Sequence, residues 1–258
     1  MKRFASVLLL LAFTIISSCV QDNKKGQQAK NNCQLSEVTF SKPGTKYAAG
    51  KVKAHFTYDV QGRISKVSVD STYVLNYTYS LARITEEKTY LGNAPIQTFY
   101  ELDNKQRIIS RTSPKYAPGV TMSYVYDSEG YLVQTKMTST RHKEVYTSRF
   151  IYKNGNVTRI IRDDLFGYAE LFFGYGTTLC PDNFIAMEVV NFPEEFTQPL
   201  KNYFGKGLKN LIVKATISGI TSAYIYYKDA QGNVIQFTDS TLPEQAPTVL
   251  SDLKYNCN

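Results

Sequence analysis

The sequence predicts an all-β fold, a large curved antiparallel meander of repeated hairpins, with a short helical insertion near residues 181–207. Three observations carry this prediction. One hairpin-sized unit recurs along the chain, aromatic and β-branched residues alternate within it, and turn formers separate its halves. The clearest copy runs from Phe56 to Val69. Phe56 and Tyr58 lie two apart and so share one face of a strand. Asp59-Val60-Gln61-Gly62 then reads as a tight turn, because Asp suits its first position and Gly at the fourth accepts positive φ without a Cβ clash. Ile64 and Val67 are three apart, which breaks strict alternation: either a β-bulge shifts the register of the second strand, the favoured reading, or both its faces are partly covered.

The chain opens with Met1-Lys2-Arg3, an apolar run from Phe4 to Ile16, and Ser17-Ser18-Cys19. A basic start, a short apolar core and small residues before a Cys describe a signal peptide over residues 1–18. The run is too short to cross a bilayer as a helix. Ile16-Ser17-Ser18-Cys19 resembles a bacterial lipobox, which implies cleavage before Cys19 and acylation of its sulfur. Residues 19–34 are rich in Gln, Asn and Lys and are expected to form a flexible tether, leaving 35–258 as a single β domain. The formal charge of +8 falls by two once Lys2 and Arg3 leave with the signal, and no cluster of five basic residues occurs. That charge reads as a solvated surface, so nucleic acid is not an expected partner.

Three cysteines follow the lipobox: Cys33, Cys180 and Cys257. An odd count allows at most one bridge and leaves a free thiol. A Cys33–Cys257 bridge would tie the ends of the domain together, but Cys180 is an equally allowed partner, and so is no bridge at all.

After a first strand around Glu37–Phe40, the aromatic strands align on their second ring. They are Phe56-Thr57-Tyr58, Tyr77-Thr78-Tyr79, Thr98-Phe99-Tyr100, Tyr124-Val125-Tyr126, Phe150-Ile151-Tyr152 and Tyr224-Ile225-Tyr226. The first five anchors are spaced 21, 21, 26 and 26 residues apart, the period of a repeat architecture with two strands per unit. Two copies lack the turn Gly, and there Asp103-Asn104 can serve as turn residues. Between Tyr168 and Gly219 the pattern breaks. Pro181-Asp182-Asn183 suits a helix start, and Phe184, Met187, Val190 and Phe192 are placed to cover one face of the sheet. A last strand is expected over Leu250–Tyr255.

Tyr58–Ile64 and Tyr126–Leu132, reading Tyr-Asp-x-x-Gly followed by Arg-Ile or Tyr-Leu, are similar to the YD repeat of Rhs-type shell proteins. The whole arrangement, with the lipobox, more closely resembles Bacteroides-type envelope lipoproteins that carry a porin-like β domain of unassigned function. The resemblance covers roughly Val52 to Thr238. It implies a long curved antiparallel meander and is nearly silent on activity.

No nucleophile motif, zinc motif or nucleotide fingerprint is present. His55 and His142 stand apart from other metal ligands and read as structural or solvated residues, so no metal or cofactor is expected. Asp59, Asp127 and Asp229 offer too few oxygens per loop for calcium and read as turn residues. Glu86-Glu87, Asp163-Asp164 and Glu194-Glu195 read as solvated loops or edges. The Tyr/Phe stripe is left as the feature able to carry function: Phe56, Tyr58, Tyr77, Tyr79, Tyr124, Tyr126, Phe150, Tyr152, Tyr224 and Tyr226 are either core or a ligand face. The expectation is a non-enzymatic binding or structural module, lipid-anchored in the bacterial envelope, with the outer membrane favoured over the inner. The alternative is a carrier or sensor holding a hydrophobic or glycan ligand in the concave face. A membrane, reached through the lipid anchor, and a glycan, lipid or protein are the partners considered.

Overall fold

The computed structural model describes residues 33–41, 51–70, 72–114, 118–141, 143–164, 167–182, 184–185, 198–242 and 247–257. Cys19, the signal peptide, His142, Glu194, Glu195 and three of the proposed covering residues (Met187, Val190 and Phe192) lie outside them.

Sixteen strands follow one another, each antiparallel to the next. They are β1 (Cys33–Ser41), β2 (Val52–Tyr58), β3 (Ile64–Val69), β4 (Tyr73–Tyr79), β5 (Arg83–Tyr90), β6 (Ile96–Leu102), β7 (Ile108–Thr112) and β8 (Val120–Tyr126). The second half comprises β9 (Leu132–Ser139), β10 (Glu144–Lys153), β11 (Asn156–Asp164), β12 (Gly167–Leu179), β13 (Asn210–Ile217), β14 (Ile220–Lys228), β15 (Val234–Leu242) and β16 (Pro247–Cys257). β16 then pairs with β1, so the sheet closes. This corrects the expected open meander. Both end strands are longer than their apolar cores suggest, and their register runs from Cys33 opposite Cys257 to Ser41 opposite Leu250. β1 starts at Cys33, two residues inside the expected tether. A disulfide joins Cys33 to Cys257 across this seam, with Cα atoms 4.0 Å apart, and Cys180 is a free thiol. The described part of the 181–207 insertion contains one short 3-10 turn, Lys201–Tyr203, while most of the helix expected from Pro181 onward lies outside the described residues.

The predicted hairpin chemistry is visible in atomic detail. Asp59 Oδ1 accepts the backbone N–H groups of Gln61 and Arg63 at 2.9 Å, and Arg63 Nε donates to Oδ2 at 2.7 Å. Asp103 repeats the arrangement with Lys105 and Arg107, Asp127 accepts from Tyr131, and Asp229 from Asn233. The left-handed position is filled by Gly62, Gly130 and Gly232, and in one of the two copies lacking Gly by Gln106 at φ 60, not by Asp103 or Asn104. Gly130 isolates the backbone requirement: its φ is +94, and an added Cβ would meet nothing closer than 3.9 Å. Gly130→Ala is therefore expected to lose about 1–2 kcal/mol from dihedral strain alone, read as a lower urea midpoint with an unchanged slope.

Beyond four of these turns the register slips by one residue, as the Ile64/Val67 spacing predicts. The extra residue is Ser65 in β3, Ile109 in β7, Val133 in β9 and Ile235 in β15. β11 carries the same bulge at Thr158 behind its own two-residue turn. Each bulge lets an inward Ile, Leu or Val at the strand start and the next inward residue three positions on both face the core.

All sixteen strands contribute to one apolar cluster inside the barrel, among them Leu35, Val67, Ile84, Ile108, Leu132, Val157 and Val234. The opposite face is polar. Lys53, His55 and Thr57 alternate with buried Ala54 and Phe56 on β2; Asn76 and Thr78 alternate with Leu75 and Tyr77 on β4. Outward apolar residues do occur, and several have polar cross-strand partners: Val125 faces Gln134, Ile151 faces Arg159, and Ile225 faces Thr238. A membrane-spanning barrel has the reverse pattern, an apolar outer band around a polar interior.

Candidate functional site

The ten residues of the predicted ligand face all line the barrel interior, but they divide into two levels. Phe56, Tyr77, Tyr124, Phe150 and Tyr224 are 3–7% exposed and belong to the core. Tyr58, Tyr79, Tyr126, Tyr152 and Tyr226 lie nearer the Asp-turn end and are partly buried. Four of these do a specific job. The ladder between β3 and β4 stops at Lys66 opposite Asn76, leaving the strand ends splayed. Tyr79 bridges the gap by donating its hydroxyl to the Ile64 carbonyl at 2.6 Å.

The same bracket recurs from Tyr58 to Leu35, Tyr126 to Ile108 and Tyr226 to Ile212. Tyr175 to Val157 and Tyr255 to Val234 complete the set, with distances of 2.5–3.0 Å. An orphaned carbonyl at a splayed edge is costly, and the phenol supplies its missing donor. Burial raises the pKa of Tyr58 to about 12, so the hydroxyl stays a donor throughout the neutral range. Tyr175 and Tyr255 belong to no aligned copy, and sequence spacing did not reveal them.

Two copies sit out of phase with the alignment. Tyr100 occupies the core level at 1% exposure, and Leu102 takes the position before the turn. Phe99 points outward, with the Arg83 guanidinium 5.2 Å from its ring centre. Tyr226 pairs with Phe237 and stands two residues farther from its turn than Tyr58 does.

The described residues between β12 and β13 pack over this end as a plug. Phe204 and Leu200 are each 1% exposed; the Phe204 ring lies 5.1 Å from Tyr124, and Tyr203 stacks on Tyr79 at 5.8 Å. Phe184 packs edge-on against Tyr226 and Phe237. Backbone bonds fix the plug to the rim, Lys206 N–H donating to Gly130 O and Lys209 N–H to Gly155 O. Gly205 packs so closely that a Cβ there would lie 2.4 Å from Gly130 O.

Plug and wall leave a cleft of about 420 Å³ over the β2–β3 turn, lined among others by Tyr58, Arg63, Tyr79, Asp182, Lys201 and Tyr203. Lys201 Nζ donates to the Phe184 carbonyl, and burial lowers its pKa. Cys180 lies nearby, and burial raises the pKa of its thiol, which keeps it protonated and unreactive.

Glu86 corrects another expectation. The sequence predicts a solvated residue, yet Glu86 follows Ile84 by two residues and points inward, accepting a hydrogen bond from the Tyr100 hydroxyl at 3.3 Å. Burial raises its pKa. Counting inward phase from Ile84 would have found it. Asp239, opposite Tyr224 in register, is a second inward carboxylate at 1% exposure. His55, on the outer face, lies 3.5 Å from Glu37.

No family model matches the chain, and no curated protein does. Solved structures with a similar fold include a porin-like protein from Bacteroides uniformis, with a TM-score of 0.61 and 15% identity over 87% of this chain and 98% of that one. A porin-like protein from Bacteroides vulgatus aligns with a TM-score of 0.57 and 12% identity, covering 87% of this chain and 99% of that one. At these identities the likeness is one of fold.

Proposed function

We propose that this chain is a bacterial envelope lipoprotein, acylated at Cys19, whose barrel stands in water and serves as a non-enzymatic binding module. The observation that carries the reading is the polarity of the sheet. Lys53, Lys66, Lys136, Arg149 and Lys214 lie on the outer face, and a Lys or Arg at a bilayer midplane costs about 2–4 kcal/mol each. A filled apolar interior also argues against conduction, since a porin of similar strand number keeps a water channel. With the interior occupied, the cleft beneath the plug is the place for a ligand. That favours a small polar molecule over a hydrophobic cargo. The lipobox and the porin-like relatives from Bacteroides support an envelope location, the outer membrane above all.

Fractionation of cells expressing the intact chain tests this reading. Wild type is expected in the membrane fraction with an acylated Cys19 at its N-terminus. The same domain exported behind a non-lipidated signal peptide is expected in the aqueous fraction, folded. Retention of that form in membranes until detergent is added would mean the strands themselves hold the bilayer, and would overturn the proposal.

A further inference from the structure

The cleft carries more positive than negative charge. Among its described lining residues, Arg63, Lys105 and Lys201 face the single carboxylate Asp182. Arg63 is already committed, with Nη2 2.6 Å from Asp59 Oδ2. Lys201 is not. Among the described residues its ammonium meets a backbone carbonyl, and Asp182 acts on it only electrostatically. A half-buried ammonium held by one neutral acceptor is a poorly compensated charge. An anion entering the cleft would supply the missing counter-charge.

The rest of the lining suits a sugar-sized body. The volume of about 420 Å³ lies within the range of small-molecule sites. Tyr58, Tyr79 and Tyr203 present apolar ring surface, and Asn202 and Gln34 bring amides able to donate and accept. We propose that the cleft binds a sugar-sized acid, a carboxylate or a phosphate ester, with its acidic group on Lys201 and its body against the tyrosine wall. The inference rests on the binding-module reading and gives it a ligand chemistry. Asp182 repels such a ligand and limits its affinity.

Titration of the intact chain by calorimetry with glucuronate, glucose 6-phosphate and neutral glucose tests it, the two acids separating carboxylate from phosphate recognition. At least one acid is expected to bind about ten-fold or more tighter than glucose, the value of one charge-assisted contact. Lys201→Met should abolish that advantage, Lys201→Arg should largely keep it, and Asp182→Asn should tighten the acid several-fold. Acids no tighter than glucose, or an advantage that survives Lys201→Met, overturn the inference. Should Lys201→Met fail to fold, an acid affinity unchanged by Asp182→Asn overturns it instead. Fractionation stands apart from these results, so failure here leaves the anchoring result untouched.

Discussion

Replacing Cys33 and Cys257 together by Ser is expected to destabilise the barrel by about 3–5 kcal/mol, with a fall in Tm of roughly 10 °C. The two residues are 224 apart in sequence, so their bridge closes almost the whole domain into one loop and removes a large share of the unfolded chain's freedom. They also stand at one end of the β1–β16 seam, the pairing in the barrel whose two strands are farthest apart in sequence. On its outer face the seam is held by Lys254 with Glu37 at 2.7 Å, and a surface ion pair is worth at most about 1 kcal/mol; on its inner face Val38 lies opposite Leu253 in the core. Urea unfolding of the double variant, beside wild type with and without reductant, measures the effect. A loss below about 1 kcal/mol would show that the β1–β16 ladder closes the barrel unaided. The double variant is preferred because a single one would leave two thiols, with Cys180, free to mispair.

Phe204→Ala is expected to cost about 3–5 kcal/mol, the range for truncating a fully buried aromatic ring. Phe204 anchors the plug in the splayed mouth, against Tyr124, beside buried Leu200, the Tyr203–Tyr79 stack, Phe184 on Tyr226 and Phe237, and a few backbone hydrogen bonds. Part of the loss should therefore appear as local opening. Trypsin cleavage after Lys201, Lys206 and Lys209 should accelerate well before the barrel melts. If cleavage quickens only in step with global unfolding, the plug is an integral part of the core and not a separable cover.

These effects also indicate what the sequence could and could not reveal. Hairpins are local, so Asp59 with Gly62, and the Ile64/Val67 spacing that betrays a bulge, were legible from a few neighbouring residues. The existence of a cover near 181–207 was legible because an aromatic face needs one. Closure was not, since nothing near Cys33 specifies that its neighbour is Cys257. The phase of β6 is ambiguous in the sequence because Thr98-Phe99-Tyr100 holds two adjacent rings, and either could be the inward one. Only Leu102, placed inward before the turn, settles it. The charged part of the cleft was illegible for another reason. Lys201 and Asp182 come from the insertion, Arg63 and Lys105 from two separate turns, and only the folded plug brings them together.

The seam has a mechanical consequence. If the chain is held to a membrane by its N-terminal lipid, any tension on the tether arrives first at Cys33, the leading residue of β1. Without the disulfide that force would unzip β1 from its neighbours one residue at a time, the weakest direction in which a strand can be loaded. With it, the load passes covalently to Cys257, so that β1 and β16 share it. The molecule is fastened where an anchored protein is pulled.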